Sequence, residues 1–261
     1  MTDKKFVMIT GSTSGLGFEL AKLFANDGYD VAMSGSSETI YQSAEEIEQL
    51  GVEAYPFQAD ASTYDGVEAF WQFVKNKGRK LDAAVLNVGI GMGGSFLEND
   101  LQEELKLIDI NVSGTVHMAK RVVQHMVPNQ AGDIMIVSSV SATLPTPYET
   151  VYGPSKAFGF MFAEALREEL KETGVNVTAM LPGATNTSFH HNAGMDDTYF
   201  GDENNKNDKE LVARQGYEAL KNKVDQVVGG DEATKKEAEE NKRTAEDVLA
   251  AKHAEKAKPQ Q

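Results

Sequence analysis

None of the 261 residues is cysteine, which excludes disulfides, thiolate metal sites and cysteine nucleophiles. Long apolar runs are missing as well. The first one, Phe6-Val7-Met8-Ile9, lies between Lys4-Lys5 and a glycine turn, too short for a signal-peptide core or a membrane span. A soluble, cytoplasmic protein is expected. Positive charge is scarce: 25 Lys and Arg stand against 40 Asp and Glu, a formal net charge of -15. That balance argues against nucleic acid and anionic membrane as partners, since both would repel the chain. The apolar fraction of 41% and charged fraction of 25% are those of an ordinary globular protein.

What is present alternates between strand and helix. Phe6 to Thr10 reads as a strand that meets Gly11-Ser12-Thr13-Ser14-Gly15-Leu16-Gly17, after which Leu20, Leu23 and Phe24 recur at helical spacing. Strand, glycine turn and helix together form the setting in which a backbone approaches a pyrophosphate at a helix N-terminus. Alone, the same glycines read as a plain tight turn. Further strands are expected at Tyr29–Ser34, Val52–Ala59, Leu81–Leu86, 133–138, Val175–Leu181 and Val224–Val228. Helices are expected between them at Glu38–Leu50, Tyr64–Lys77, Glu98–Met126, Pro154–Thr173 and Leu211–Leu220. The βα period predicts an α/β fold, a doubly wound parallel sheet of about seven strands with helices on both faces. Residues 1–230 read as one domain, with a polar substrate loop or lid at about 184–215. Residues 231–261, rich in Ala, Lys and Glu, read as a solvated C-terminal helical extension that frays after about His253.

Chemistry concentrates in Ser138 to Lys156. Tyr152 and Lys156 are four apart and share a helix face, where the ammonium can favour the ionised phenol. A phenol so placed works as an acid or base near neutral pH. Exposed helices carry such pairs by chance, so its company matters. Ser139, thirteen residues earlier, follows the apolar run Ile134-Met135-Ile136-Val137; on its own it reads as a strand-end hydroxyl capping a turn. Asn111 in a helical stretch is ordinarily a solvent-facing or bend-forming residue. His190 and His191 are adjacent on a polar loop, which is not ligand spacing, so they read as surface and no metal is expected. Phe70 and Trp71 read as core.

The glycines Gly11, Gly15 and Gly17, the Asn87-x-Gly89 pair, Asn111, Ser139, Tyr152, Lys156 and Pro182-Gly183 fall in the order and spacing of the short-chain dehydrogenase/reductase family, which this chain resembles from about residue 5 to 230. Tyr152-Gly153-Pro154-Ser155-Lys156 and Ala213-Arg214-Gln215-Gly216-Tyr217 are similar to bacterial members of the general short-chain reductase type. The resemblance implies a Rossmann-type fold and an NAD(P)-dependent oxidoreductase moving a hydride between a nicotinamide cofactor and a small carbonyl or alcohol. Tyr152 is implied as the acid/base, and Lys156 as the group that lowers its pKa and holds the nicotinamide ribose. Ser139 is implied to hold the substrate oxygen, and Asn111 a water linking Lys156 to solvent. The implied cofactor cradle is Gly11 to Gly17, with Asp60 at the adenine, Asn87 and Gly89 beside it, and Pro182, Gly183, Thr185 and Thr187 at the nicotinamide. Self-association through the helices at 98–126 and 154–173, as a homodimer or homotetramer, is also implied.

Two departures matter. Val88 stands where the family usually has alanine. The second strand ends in Ser34-Gly35-Ser36-Ser37, without the acid that binds a 2′-hydroxyl in NAD-dependent relatives and without the Arg or Lys of NADP-dependent ones. The missing acid and the hydroxyls of Ser36 and Ser37 favour NADP, with NAD the alternative. The substrate side, Ile90 to Phe96, Ser141 to Tyr148 and the loop after Thr187, shows no positive cluster in sequence, which favours a neutral substrate. Two other readings stay open, a catalytically idle nucleotide-binding sensor or scaffold of the same fold, and a methyltransferase that shares only the first turn.

Overall fold

A computed structural model describes residues 4–259. Seven parallel strands run in the order β3-β2-β1-β4-β5-β6-β7. The first half is built from β1 (Phe6–Ile9), α1 (Gly15–Asn26), β2 (Asp30–Gly35), α2 (Thr39–Glu48), β3 (Ala54–Gln58), α3 (Tyr64–Lys75) and β4 (Ala83–Leu86). Then come α4 (Leu101–Ile108), α5 (Thr115–Met126), β5 (Gly132–Val137), α6 (Tyr152–Leu170) and β6 (Val175–Pro182). The short helix α7 (Phe189–Asn192), α8 (Lys209–Lys221), β7 (Gln226–Gly229), α9 (Glu232–Asn241) and α10 (Glu246–Ala257) complete the chain.

Each central strand is apolar on both sides because helices cover both faces. In β1, Phe6 and Met8 join the core beneath α3, α5 and α6, while Val7 and Ile9 join the core beneath α1, α2 and α8. Trp71, on α3, is buried in the first of these beside His125, with ring centroids 5.6 Å apart. Pro56 sits within β3, which is tolerated because β3 is an edge strand.

Three expectations need correction. Glu98–Met126 is not one helix. Asp100 caps α4 by accepting from the Gln102 and Glu103 amides, and residues Asp109–Gly114 form a π-helical turn between α4 and α5. Helix α6 begins at Tyr152, ahead of Pro154, whose missing N–H costs nothing within the first turn. The segment after 231 is two helices rather than one solvated helix, and α10 stays helical to Ala257. Leu249, His253 and Ala257, spaced by four, form a buried face. Gln260 and Gln261, the last two residues of the expected extension, lie outside the described residues.

The expected lid is also held in place. The Tyr199 amide donates to the Lys256 carbonyl at 3.0 Å, and Met195 packs with Ala193 and Ala257. Helices α9 and α10 thereby fold back over the C-terminal ends of the strands. Among the described residues no helix is long and apolar enough to cross a membrane.

Candidate active site

A cleft of about 870 Å³ runs along the C-terminal ends of the strands, across the point where strand order reverses between β1 and β4. Open α/β sheets bind ligands at such switch points. At one end lies the glycine turn. Gly11 and Gly15 adopt φ of +65° and +58°, a region closed to most side chains. A Cβ on Gly17 would fall 2.2 Å from the Gly11 carbonyl oxygen, so the helix can pass this close only with glycine. Ser14 is the N-cap of α1 but its side chain makes no capping hydrogen bond, which leaves first-turn N–H donors facing the cleft.

Gly11, Thr13, Ser14, Gly15 and Leu16 line the cleft, whereas Ser12 and Gly17 lie behind it. The Ser12 hydroxyl turns inward and donates to the Ile9 carbonyl at 3.1 Å. At the end of β2, Ser36 lines the cleft and Ser37 does not. Asp60 lines it as well; hydrogen bonds from the hydroxyl and amide of Ser62 hold its carboxyl below the ordinary range. Asn87 is a brace: its Nδ2 donates to the carbonyls of Thr10 and Gly11 at 3.1 and 2.8 Å, tying the end of β4 to the glycine turn.

The π-helical turn places Asn111 against the loop after β4. Its Nδ2 donates to the Ile90 carbonyl (2.9 Å) and to Ser155 Oγ (3.0 Å), and its Oδ1 accepts from the Ile90 amide at 2.9 Å. The amide is thus committed to protein partners behind the wall of the cleft. A Cβ on Gly89 would lie 2.8 Å from Lys156 Nζ and 3.2 Å from Asn111 Oδ1, so these two side chains meet over a bare backbone.

Tyr152 and Lys156 occupy the first turns of α6 and are both buried. Lys156 Nζ lies 5.8 Å from the Tyr152 ring centre and donates to the Val137 carbonyl at 3.3 Å. Burial pulls the ammonium down to about 8. Burial also raises the Tyr152 phenol above its ordinary value; the Glu149 carboxylate pushes the same way and the Ser139 hydroxyl opposes both. Ser139 caps the turn Val140–Thr143, its Oγ accepting from the Ser141 amide at 3.1 Å. Ser138 is turned away, donating to the Lys156 carbonyl at 2.7 Å.

Beyond β6, Pro182, Gly183, Thr185 and Thr187 line the cleft. The Thr187 methyl would lie 3.3 Å from a Cβ on Gly15, so this loop closes over the glycine turn. His190 is not a surface residue: it is buried, stacks on Phe200 with centroids 5.9 Å apart, and is pulled down to about 4 by burial and then by Lys206. His191 is exposed and pairs with Asp196 at 2.8 Å. Among the described residues no cluster of three or more His, Asp or Glu is placed to hold a metal ion.

Reading the sequence missed Glu149, Phe189 and His253, all of which line the cleft. It also missed positive charge there. Lys206, Lys252 and Lys256 reach the lining once the C-terminal segment folds back, alongside Asp231 and Glu237, and Lys256 is paired to Glu237 at 2.6 Å.

The family model for short chain dehydrogenases matches residues 5–198. Among curated proteins, "Probable oxidoreductase EphD" of Mycobacterium tuberculosis is 35% identical over 185 residues, covering 70% of this chain and 31% of that protein. The chain thus spans less than a third of that relative's length. "Oxidoreductase UcpA" of Salmonella typhimurium is 30% identical over 184 residues, with 70% of each chain covered. Among solved structures, a short-chain dehydrogenase from Sphingobium yanoikuyae in complex with NADPH superposes with a TM-score of 0.82 at 23% identity, covering 92% of this chain and 93% of that one. An alcohol dehydrogenase from the archaeon Thermococcus sibiricus complexed with 5-hydroxy-NADP gives 0.75 at 23% identity, covering 86% and 95%. The fold, the family model and the match to UcpA agree, and the chain belongs to the short-chain dehydrogenase family of oxidoreductases.

Proposed function

We propose that this chain transfers a hydride between a nicotinamide cofactor and a small neutral carbonyl or alcohol, with Tyr152 as general acid and base. The observation that carries this reading is the Tyr152–Lys156 pair, buried on α6 in the same cleft that begins at the glycine turn. The chain's own residues fit such a cofactor. Gly11, Gly15 and the free first-turn donors of α1 suit a pyrophosphate, Asp60 suits an adenine amino group, and Lys156 suits a ribose. Pro182, Gly183, Thr185 and Thr187 line the same cleft, with Thr187 beside the glycine turn. When bound, the nicotinamide supplies or accepts the hydride.

Tyr152 holds the proton that a carbonyl oxygen needs on reduction. A phenol raised by burial stays protonated over the working range, which favours the acid role. Ser139, whose hydroxyl is hydrogen-bonded to the Tyr152 phenol, would orient the oxygen. Lys156 carries its charge below about 8, so both ribose binding and turnover should weaken as pH rises through that value. Lysines in the lining are offset by Glu149, Asp231 and Glu237, which supports a neutral substrate over a strongly anionic one.

NADP is the favoured cofactor because no acid stands at the end of β2 to repel a 2′-phosphate, and Ser36 faces the cleft there. Two structural relatives carry NADPH and 5-hydroxy-NADP. The test is parallel titration of the protein with NADPH and NADH, following nicotinamide fluorescence, before a carbonyl screen. Tighter NADPH binding is expected. Preference for NADH would overturn the reading of Ser36, and binding of neither would leave an idle scaffold.

A further inference from the structure

The chain from 148 to 152 is built with unusual care for a loop. Tyr148 adopts φ of +65°, a conformation that costs a bulky residue free energy and persists only where its surroundings enforce it. The enforcement is local packing against Ala193, Met195 and Ala257. The next residue, Glu149, is aimed into the interior, where its Oε2 lies 3.0 Å from Nε2 of His253 on α10. Both side chains are only 4% exposed. The Glu149 carbonyl accepts from the Gly153 amide at 3.1 Å, which sets the carboxylate one turn ahead of Tyr152. A continuous aromatic series runs from Tyr152 to Phe189 (5.4 Å), to His190, to Phe200 and back to His253 (5.4 Å).

Burying an acid and a histidine is costly unless each satisfies the other. The sheet cores do not require the pair, since it belongs to neither. We propose that Glu149 and His253 are positioning residues: α10 supplies the imidazole that holds a carboxylate beside Tyr152, so the C-terminal segment completes the active site. The proposal rests on the acid/base reading of Tyr152 given above. A negative charge next to the phenol keeps the proton on it; burial is the larger cause of the raised proton affinity of Tyr152, and the Glu149 carboxylate adds to it.

Other groups around these residues are few. Ser139 faces Tyr152 from the turn after β5, Lys156 from α6, and Phe189 from α7. Near the pair, Thr146 is bonded to the Glu149 backbone, Lys252 lies on α10 itself, and Lys256 is engaged by Glu237 of α9. Lys206 faces His190.

The test is the pH profile of kcat/KM for carbonyl reduction by the full chain, with NADPH affinity and melting temperature measured in parallel. Proton loss from Tyr152 contributes to the alkaline limb, and the Glu149 carboxylate helps to hold that proton on the phenol. In E149Q the limb should move to lower pH by about one unit. H253L strips the buried carboxylate of the partner that makes its charge tolerable, so the limb should move the same way as in E149Q, and H253Q, which keeps a donor, should stay near the parent. A limb that moves in E149Q and H253L and is restored in H253Q is not produced by a merely structural brace. Should E149Q fail to fold, H253L and H253Q carry the comparison. Limbs that coincide with the parent's, or a limb that moves in H253L and is not restored in H253Q, overturn the proposal. Ring-carbon NMR of labelled tyrosine, assigned with Y152F, reads the same protonation without turnover. An inactive parent that binds neither dinucleotide therefore defeats the oxidoreductase reading, while an unshifted tyrosine signal in E149Q and H253L defeats this one.

Discussion

Tyr152 and Lys156 sit side by side, yet burial pushes them in opposite senses, the phenol up and the ammonium down. Replacing Tyr152 with Phe removes one proton and little shape. Turnover should fall by at least about 100-fold while dinucleotide affinity stays close to the parent's, as paired kinetics and fluorescence titration can check. Lys156 tells the complementary story. A buried ammonium is a native-state penalty that is complete below about 8, where the folded lysine is charged, and fades as pH rises towards its ordinary 10.5. Lys156→Met should therefore be inactive but more stable at neutral pH, by a margin on the order of 2–3 kcal/mol that shrinks between those two values. Urea unfolding at several pH values measures it. These two residues were legible in the sequence because one helical turn joins them. Ser12, Gly17 and Ser37 were not separable from their cleft-lining neighbours, since which way a turn residue faces depends on partners such as the Ile9 carbonyl. Glu149 was invisible for a plainer reason, its partner being 104 residues away.

At the level of elements, the alternation of strands and helices was readable from apolar period and glycine positions, because each βα unit buries its own stripe against the sheet. The break at Asp109–Gly114 was not. An apolar stripe continues on both sides of a π-helical turn, and nothing in composition marks the extra residue. The Asp100 cap, by contrast, was a signal available in sequence that would have moved the helix start from Glu98 to Leu101. Asn111 holds this break together through three hydrogen bonds to Ile90 and Ser155. Asn111→Ala strands buried partners on the loop after β4 and on α6, so a loss of about 2–4 kcal/mol is expected, read as a lower urea midpoint, together with slower turnover.

Among the described residues, several large apolar side chains on or near α4 and α6 are left exposed by the fold. Leu97, Leu101 and Leu105 near and along α4, and Phe158 and Met161 on α6, are exposed at 92%, 63%, 45%, 38% and 61%. Exposed apolar side chains of this size commonly mark an interaction surface, and self-association as a dimer or tetramer is expected. Light scattering at micromolar concentration checks it, and Leu101→Lys combined with Met161→Lys should shift the mass downwards. The position of the tryptophan has a practical consequence here. Trp71 is deep in the core on one face of the sheet, while α9 and α10 cover the cleft at the strand ends and contain no tryptophan. Its emission is therefore blind to that covering and reports only loss of the sheet core. In a denaturant series, any gap between the loss of turnover and the red shift of Trp71 measures how much more easily the C-terminal helices peel away than the protein unfolds.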